Sequence, residues 1–165
     1  IAENLGFLTP SVHQLLKNTG YPGMKVLEFA FDSRDGGGRT YQPHNYPTNC
    51  VAYVGTHDND TALGWISTAS PEDVAREYLH LDSIEGENWG MMRAIWSSTA
   101  DYAIVQMQDL LGLSSEGRIN TPSTLGGNWQ WRALPGFDSP ALAKRLLRQM
   151  KLYERLPQER KGEKS

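Results

Sequence analysis

The sequence predicts an α/β fold of βα units with parallel strands, long enough for part of a (β/α)8 barrel and too short for a whole one. Three observations predict it. Segments of strand and helix character alternate along the chain. The run Cys50-Val51-Ala52-Tyr53-Val54 is continuously apolar rather than alternating, as in a strand covered on both faces. The chain's 165 residues hold about three and a half such units, against the roughly 250 residues of a closed barrel.

In order, Ile1-Ala2-Glu3 reads as the end of a strand whose beginning is missing, so the chain is expected to be a piece of a larger protein. Thr9 and Pro10 stand as N-cap and first helical residue. Val12, Leu15, Leu16 and Thr19 share one face, and Gly20 stops the helix. Met24 to Phe31 is the second strand candidate, rich in aliphatic and aromatic residues. Residues 32–47 form a loop, flexible at Gly36-Gly37-Gly38 and stiffer at Pro43-His44-Asn45-Tyr46-Pro47, and long enough to suggest a functional role.

After the third strand, Ser70-Pro71-Glu72-Asp73 opens a helix whose first-turn acids suit the helix dipole, with Val74, Tyr78 and Leu81 on its apolar face. A second helix spans Asn88 to Ala100, where Trp89, Met92, Ile95 and Trp96 recur at helical spacing and read as core. Tyr102 to Met107 reads as a strand, and Gly112 to Arg132 as a loop rich in glycine and tryptophan. Ser139-Pro140 caps a last helix reaching about Leu156, with Leu142, Leu146, Leu147, Met150 and Tyr153 inward and Pro157 as its stop. Residues 158–165 are expected to be a disordered charged tail, leaving 1–157 as the partial barrel.

Composition narrows the partners. The chain is 39% hydrophobic and 21% charged, which supports a real core. A net charge of -3 gives no electrostatic footprint for nucleic acid or an anionic membrane, and a neutral, polar substrate fits better. One cysteine, Cys50, excludes an internal disulfide framework and reads as a buried, inert thiol in a reducing compartment. The cytoplasm is expected, or a plastid if the source is a plant. No stretch reaches the roughly 18 apolar residues of a membrane span.

The chemistry concentrates in Thr56-His57-Asp58-Asn59-Asp60-Thr61, directly after a strand, where α/β folds place their active groups. Glu3 ends the first strand, and Phe29 and Phe31 lie toward the end of the second. If those ends converge on one mouth, Glu3 and Asp58 approach one ligand. Paired carboxylates over a neutral polar substrate, with aromatic rings nearby, suggest glycosyl transfer. The competing reading makes Glu3 a solvated or ion-paired rim residue. Asp58-Asn59-Asp60 evokes a calcium loop, but Leu63 stands where the glycine is needed and the closing glutamate is missing. No metal ligand is expected, and Asp60 is assigned to helix capping or loop bracing. His13 reads as a surface helix residue.

Four ordered motifs, Ile1-Ala2-Glu3-Asn4-Leu5-Gly6, Gly20-Tyr21-Pro22-Gly23-Met24-Lys25-Val26-Leu27, Thr56 to Thr61, and Gly127-Asn128-Trp129-Gln130-Trp131-Arg132, resemble the 4-alpha-glucanotransferases (amylomaltases or disproportionating enzymes) of the α-amylase clan. The resemblance runs from Ile1 to about Tyr153. It implies the carboxyl-terminal part of a (β/α)8 barrel, from the end of strand 5 to helix 8. By the same resemblance Glu3 matches the general acid/base, which arrives protonated, and Asp58 the acid that holds the transferred sugar distorted. His57 matches a neighbour that hydrogen-bonds that sugar, and Asn128 and Trp129 belong to a substrate-facing loop. Apart from the resemblance, Phe29 by its place toward a strand end and His44 by its place in the loop 32–47 are candidate contacts.

The resemblance also implies transfer of α-1,4-glucan segments to the 4-hydroxyl of glucose or a maltooligosaccharide, without a cofactor. The family's nucleophile is an aspartate on an earlier strand, and nothing in this chain matches that motif. The 165 residues alone are therefore expected to be inactive. The alternatives are a hydrolase of the same clan, a non-catalytic glucan-binding module, and metal-dependent phosphoester hydrolysis through His57 and Asp58.

Overall fold

The computed structural model describes residues 1–6, 8–31, 38–68 and 72–157. Strands β1 (Gly23–Val26), β2 (Cys50–Tyr53) and β3 (Tyr102–Ile104) form a parallel sheet in that order. Gly23 pairs with Cys50 and Val26 with Tyr53, then Val51 with Tyr102 and Tyr53 with Ile104. Ala2 adds a parallel bridge to Gly23. Four segments successive in sequence are thus neighbours in space and run the same way, the arrangement that βα units generate.

Helix α1 (Pro10–Thr19) ends on Gly20 at φ 68°, the left-handed conformation that costs glycine least. Thr9 precedes it as expected, but its hydroxyl bonds Ser11 Oγ at 2.8 Å instead of capping the backbone. The helix buries none of its residues, and Leu15 of its expected inner face is exposed.

The second strand is shorter than its apolar run. It stops at Val26, and Leu27–Phe31 turns into a 3-10 segment that buries Leu27, Glu28, Ala30 and Phe31. Periodicity alone does not separate a buried strand from a buried helical turn. Packing decides it here: the turn carries Phe31 to Trp65 (ring centroids 6.1 Å) and Tyr78 (5.5 Å). β3 likewise ends at Ile104 rather than Met107, because Met107 opens a short helix, α5 (Met107–Leu111).

A helix not anticipated from the sequence, α2 (Ala62–Thr68), follows the His57-Asp58 stretch, and Asp109 Oδ1 accepts from its first N–H, that of Ala62, at 2.8 Å. In α3 (Glu72–Leu79) Val74 is exposed rather than buried, while Tyr78 and Leu81 pack on the core. Ser70 and Pro71 of its expected opening lie outside the described residues. α4 (Glu87–Trp96) is the central helix. It buries Trp89, Met91, Met92, Ile95 and Trp96 in one cluster with Ala52 and Val54 of the sheet region and Ile66 of α2. Cys50 is buried as expected, its thiol donating to Pro47 O at 3.0 Å.

The last helix, α6 (Pro140–Leu152), is capped by Ser139, whose Oγ accepts from Leu142 N at 3.3 Å. Leu142, Leu146, Met150 and Tyr153 pack on the core, while Leu147 is exposed. It ends before Leu156 because the chain turns to deliver Arg155, whose guanidinium donates to Trp96 O and Ser98 O at 2.8 Å and to Ala100 O. Three carbonyls around the end of α4 are satisfied this way. The expected tail, 158–165, lies outside the described residues.

Candidate active site

Strand β2 delivers the turn Gly55-Thr56-His57-Asp58-Asn59, and the turn is braced from within. Asn59 Oδ1 accepts from Thr56 N at 2.9 Å and Thr56 Oγ1 at 2.8 Å, and Thr56 Oγ1 accepts from Asp58 N at 3.3 Å. Short polar side chains holding their own backbone are what make such a turn rigid. From outside, Gln106 Nε2 at the end of the β3 run donates to Gly55 O at 3.1 Å and Thr56 O at 3.0 Å.

Asp58 is then fixed at both ends. Arg118 donates to its main-chain oxygen at 2.8 Å, and Asn120 Nδ2 donates to its Oδ1 at 2.6 Å. His57 Nε2 lies 3.3 Å from the same Oδ1, and both side chains remain about half exposed. The ring of Trp129 stands over His57, centroids 5.1 Å apart and planes tilted by 40°. Trp129 adopts φ 64°, unusual for a bulky residue, and its N–H donates to Ile119 O at 2.8 Å. Asn128 spends its amide on the loop: its Oδ1 accepts from Thr121 N at 2.9 Å and its Nδ2 donates to Thr124 Oγ1 at 3.1 Å.

Next to Asp58 is a cavity of ≈ 250 Å³ whose lining includes Phe29, Asp58, Asp60 and Arg118. The structure therefore gathers Phe29, His57, Asp58 and Trp129 around one region, with Asn128 holding the loop that carries the tryptophan. Glu3 is exposed on the neighbouring segment. Ala2 beside it bridges Gly23, and Asn4 Oδ1 accepts from Met24 N at 2.6 Å, so β1 stands between Glu3 and β2. His44 is placed elsewhere, bonded to Tyr78 Oη at 2.6 Å on a second cavity of ≈ 320 Å³ lined by Pro43 and His44 and by residues of helices α3 and α4.

Residues that sequence reasoning passed over matter as much. Arg118 and Asn120 lie inside the long loop 112–132, where a cation and an amide two positions apart are the available signal. Glu28 is 2% exposed and Asp109 1%. Burial holds the Glu28 carboxyl well above the usual range, with the Asp109 and Asp60 charges adding to it and Arg118 opposing. Burial also pushes Asp109 up to about 6, against the N–H of Ala62. An acid inside the apolar run Val26 to Phe31 was the signal for Glu28. Asp60 braces the loop as expected, its carboxylate accepting from Thr61 N at 2.8 Å and Ser115 Oγ at 2.7 Å. Among the described residues no group of three or more His, Cys, Asp or Glu side chains is placed to hold a metal, and no helix is long and apolar enough to cross a membrane.

The chain is 48% identical over 158 residues to a 4-alpha-glucanotransferase of Clostridium butyricum, covering 94% of this chain and 32% of that protein. It is 46% identical over 165 residues to the enzyme of that name from Thermus thermophilus, covering 94% and 33%. The chain thus spans about a third of the length of the curated relatives it matches. Its fold is similar to that of an amylomaltase from Streptococcus agalactiae in complex with acarbose, with a TM-score of 0.85 and 34% identity, over 92% of this chain and 31% of that one. The family model described as 4-alpha-glucanotransferase matches residues 1–136, and the chain belongs to that family.

Proposed function

We propose that this chain is the carboxyl-terminal part of a (β/α)8 barrel, from the end of strand 5 to helix 8, in an enzyme that transfers α-1,4-glucan segments. The observation that carries the reading is the fixed Asp58: a half-exposed carboxylate at a strand end, pinned by Asn120 and Arg118, with His57 and the Trp129 ring beside it. Four parallel segments in sequential order support the barrel.

In the proposed cycle Glu3 gives its proton to the leaving 4-oxygen as the bond from C1 to that oxygen breaks. A carboxylate upstream of this chain takes C1 as a glycosyl ester. The 4-hydroxyl of glucose or a maltooligosaccharide then attacks C1, the ester carboxylate leaves, and the hydroxyl proton returns to Glu3. One α-1,4 bond is lost and one formed, so no cofactor is consumed. Asp58 holds hydroxyls of the transferred sugar and favours its cationic, distorted form, His57 hydrogen-bonds the same ring, and Trp129 and Phe29 offer apolar faces. Asn128 acts by shaping the loop. His44, on the other cavity, has the least support as a contact. Transfer outruns hydrolysis only where water is excluded, a task for the long loops 32–47 and 112–132, the second of which touches Asp58 through Arg118 and Asn120. A reducing compartment suits the one buried thiol, Cys50.

The test uses the enzyme completed by the upstream segment that its relatives carry, supplied with maltotriose. Glucose plus a ladder of longer oligomers is expected. A rise in reducing ends without longer products would point to a hydrolase. Glu3→Gln is expected to abolish turnover and leave glucan binding in place, whereas a binding module has no turnover for it to remove.

A further inference from the structure

Beneath the His57-Asp58 turn lies an acid that the transfer chemistry does not use. Glu28 is 2% exposed, neither of its carboxyl oxygens makes a hydrogen bond of normal geometry, and the Asn59 side chain beside it is the smallest of the influences on its charge. Its head group packs directly against Gly55, where an added β-carbon would sit 2.6 Å from Oε1. Its own N–H donates to Val54 O at 3.2 Å. Main chain and side chain therefore both press on the strand end that launches the turn.

The charged groups around it come from every neighbouring element. Asp60 faces it from the turn itself, Asp109 from α5, and Arg118 from the loop that follows. Asp58 lies further out on the same cavity, paired with His57. Arg118, the guanidinium among these groups, donates to Asp58 O and Asn120 O. An ionised Glu28 would be an unpaired charge, out of water, beside two further acids, the situation a carboxylate resists most.

We propose that Glu28 is a positioning residue for Asp58: a neutral carboxylic acid packed under Gly55 that keeps the turn at the height where Asp58 meets Asn120 and Arg118. The role rests on the glucan-transfer reading of Asp58. Loss of the proton leaves a buried anion that Asp60 and Asp109 repel. Relief comes by admitting water between Glu28 and Gly55 or by lifting Gly55, and either movement displaces Asp58 three residues on. The device sets an alkaline limit on activity.

Glu28→Gln keeps the size of the head group and removes the proton equilibrium. In the completed enzyme, kcat/KM for maltotriose disproportionation and the unfolding temperature are measured for wild type and variant from about pH 5 to about pH 10. At the acid end the variant is expected within about threefold of wild type. Toward the alkaline end the ratio of variant to wild type is expected to rise by about tenfold or more, while the unfolding temperature of the variant falls less with pH. A ratio that stays flat across the range overturns the proposal.

Asp109→Asn gives an independent reading if glutamine is not accommodated at position 28. It removes a charge that opposes ionisation of Glu28, so the alkaline loss must begin at lower pH than in wild type, and an unmoved onset counts against the proposal. Should wild type make no longer oligomers at any pH, the transfer reading itself fails and the positioning role with it. If the ladder forms but the ratio is flat, only this inference fails.

Discussion

Asn120 Nδ2 donates to Asp58 Oδ1 at 2.6 Å, joining residues 62 positions apart. The bond fixes the rotation of a half-exposed carboxylate that the turn alone leaves free to swing, and Arg118 fixes the main chain behind it. A hydrogen bond to a charged group is worth about 1.5–3 kcal/mol, so Asn120→Ala is expected to lower kcat/KM for maltotriose by about tenfold or more. The site is at the surface, so the unfolding temperature should hardly change. Steady-state kinetics beside a melting curve decides it, and equal kcat/KM values would show that the carboxylate needs no such anchor.

Trp129 lies over His57 with ring centroids 5.1 Å apart, a tilted aromatic pair beside Asp58. Such ring pairs contribute about 0.5–1.5 kcal/mol beyond burial, so Trp129→Ala is expected to raise KM by about tenfold while Trp129→Phe stays close to wild type. Binding of a glucan by calorimetry would follow the same order.

The pH dependence of stability has a definite sign at Asp109. Its carboxyl is raised from 3.8 to about 6 by burial first and by Asp60 second. A group raised in the folded state favours folding fully below its unfolded value, and that contribution is lost as pH climbs from about 4 through about 6. A shift of about two units corresponds to about 3 kcal/mol, so Asp109→Asn should flatten the change in unfolding free energy between about pH 4 and about pH 8. Denaturant titrations of both proteins at the two pH values measure it. Parallel profiles would mean that Asp109 titrates normally.

Arg155 is the clasp between the last helix and the end of α4, donating to Trp96 O, Ser98 O and Ala100 O. Its removal leaves those carbonyls short of a donor at a helix end whose dipole favours a cation. Arg155→Ala is expected to destabilise the protein by about 2–3 kcal/mol, with Arg155→Lys recovering part of it because one ammonium cannot reach all three. Chemical unfolding of the three proteins tests the order.

What the sequence made legible followed from local signals. The strand Cys50 to Tyr53, the helix from Pro10 to Gly20 and the Ser139 cap were readable because continuous apolar runs, proline, serine and glycine act on their nearest neighbours. The 3-10 turn at Leu27–Phe31 was not, since an apolar run reads the same in either conformation until Trp65 and Tyr78 are seen to receive Phe31. Likewise His57 and Asp58 were visible at a strand end. Their supports, Gln106, Arg118 and Asn120, reach them across 50 to 62 positions and carry no local mark. Buried Glu28 is the sharpest case: a charge inside an apolar run declares its oddity, but not its neighbours.

The central claim is that Asp58, held in place by Asn120, Arg118 and His57, handles the sugar being transferred. Asp58→Asn keeps the shape of the side chain and removes its charge. In the enzyme completed by the upstream segment, the account predicts that this variant folds with an unfolding temperature close to wild type and loses at least about a thousandfold in the rate of maltotriose disproportionation. A variant that still produces the ladder of longer oligomers at a rate near wild type would contradict it.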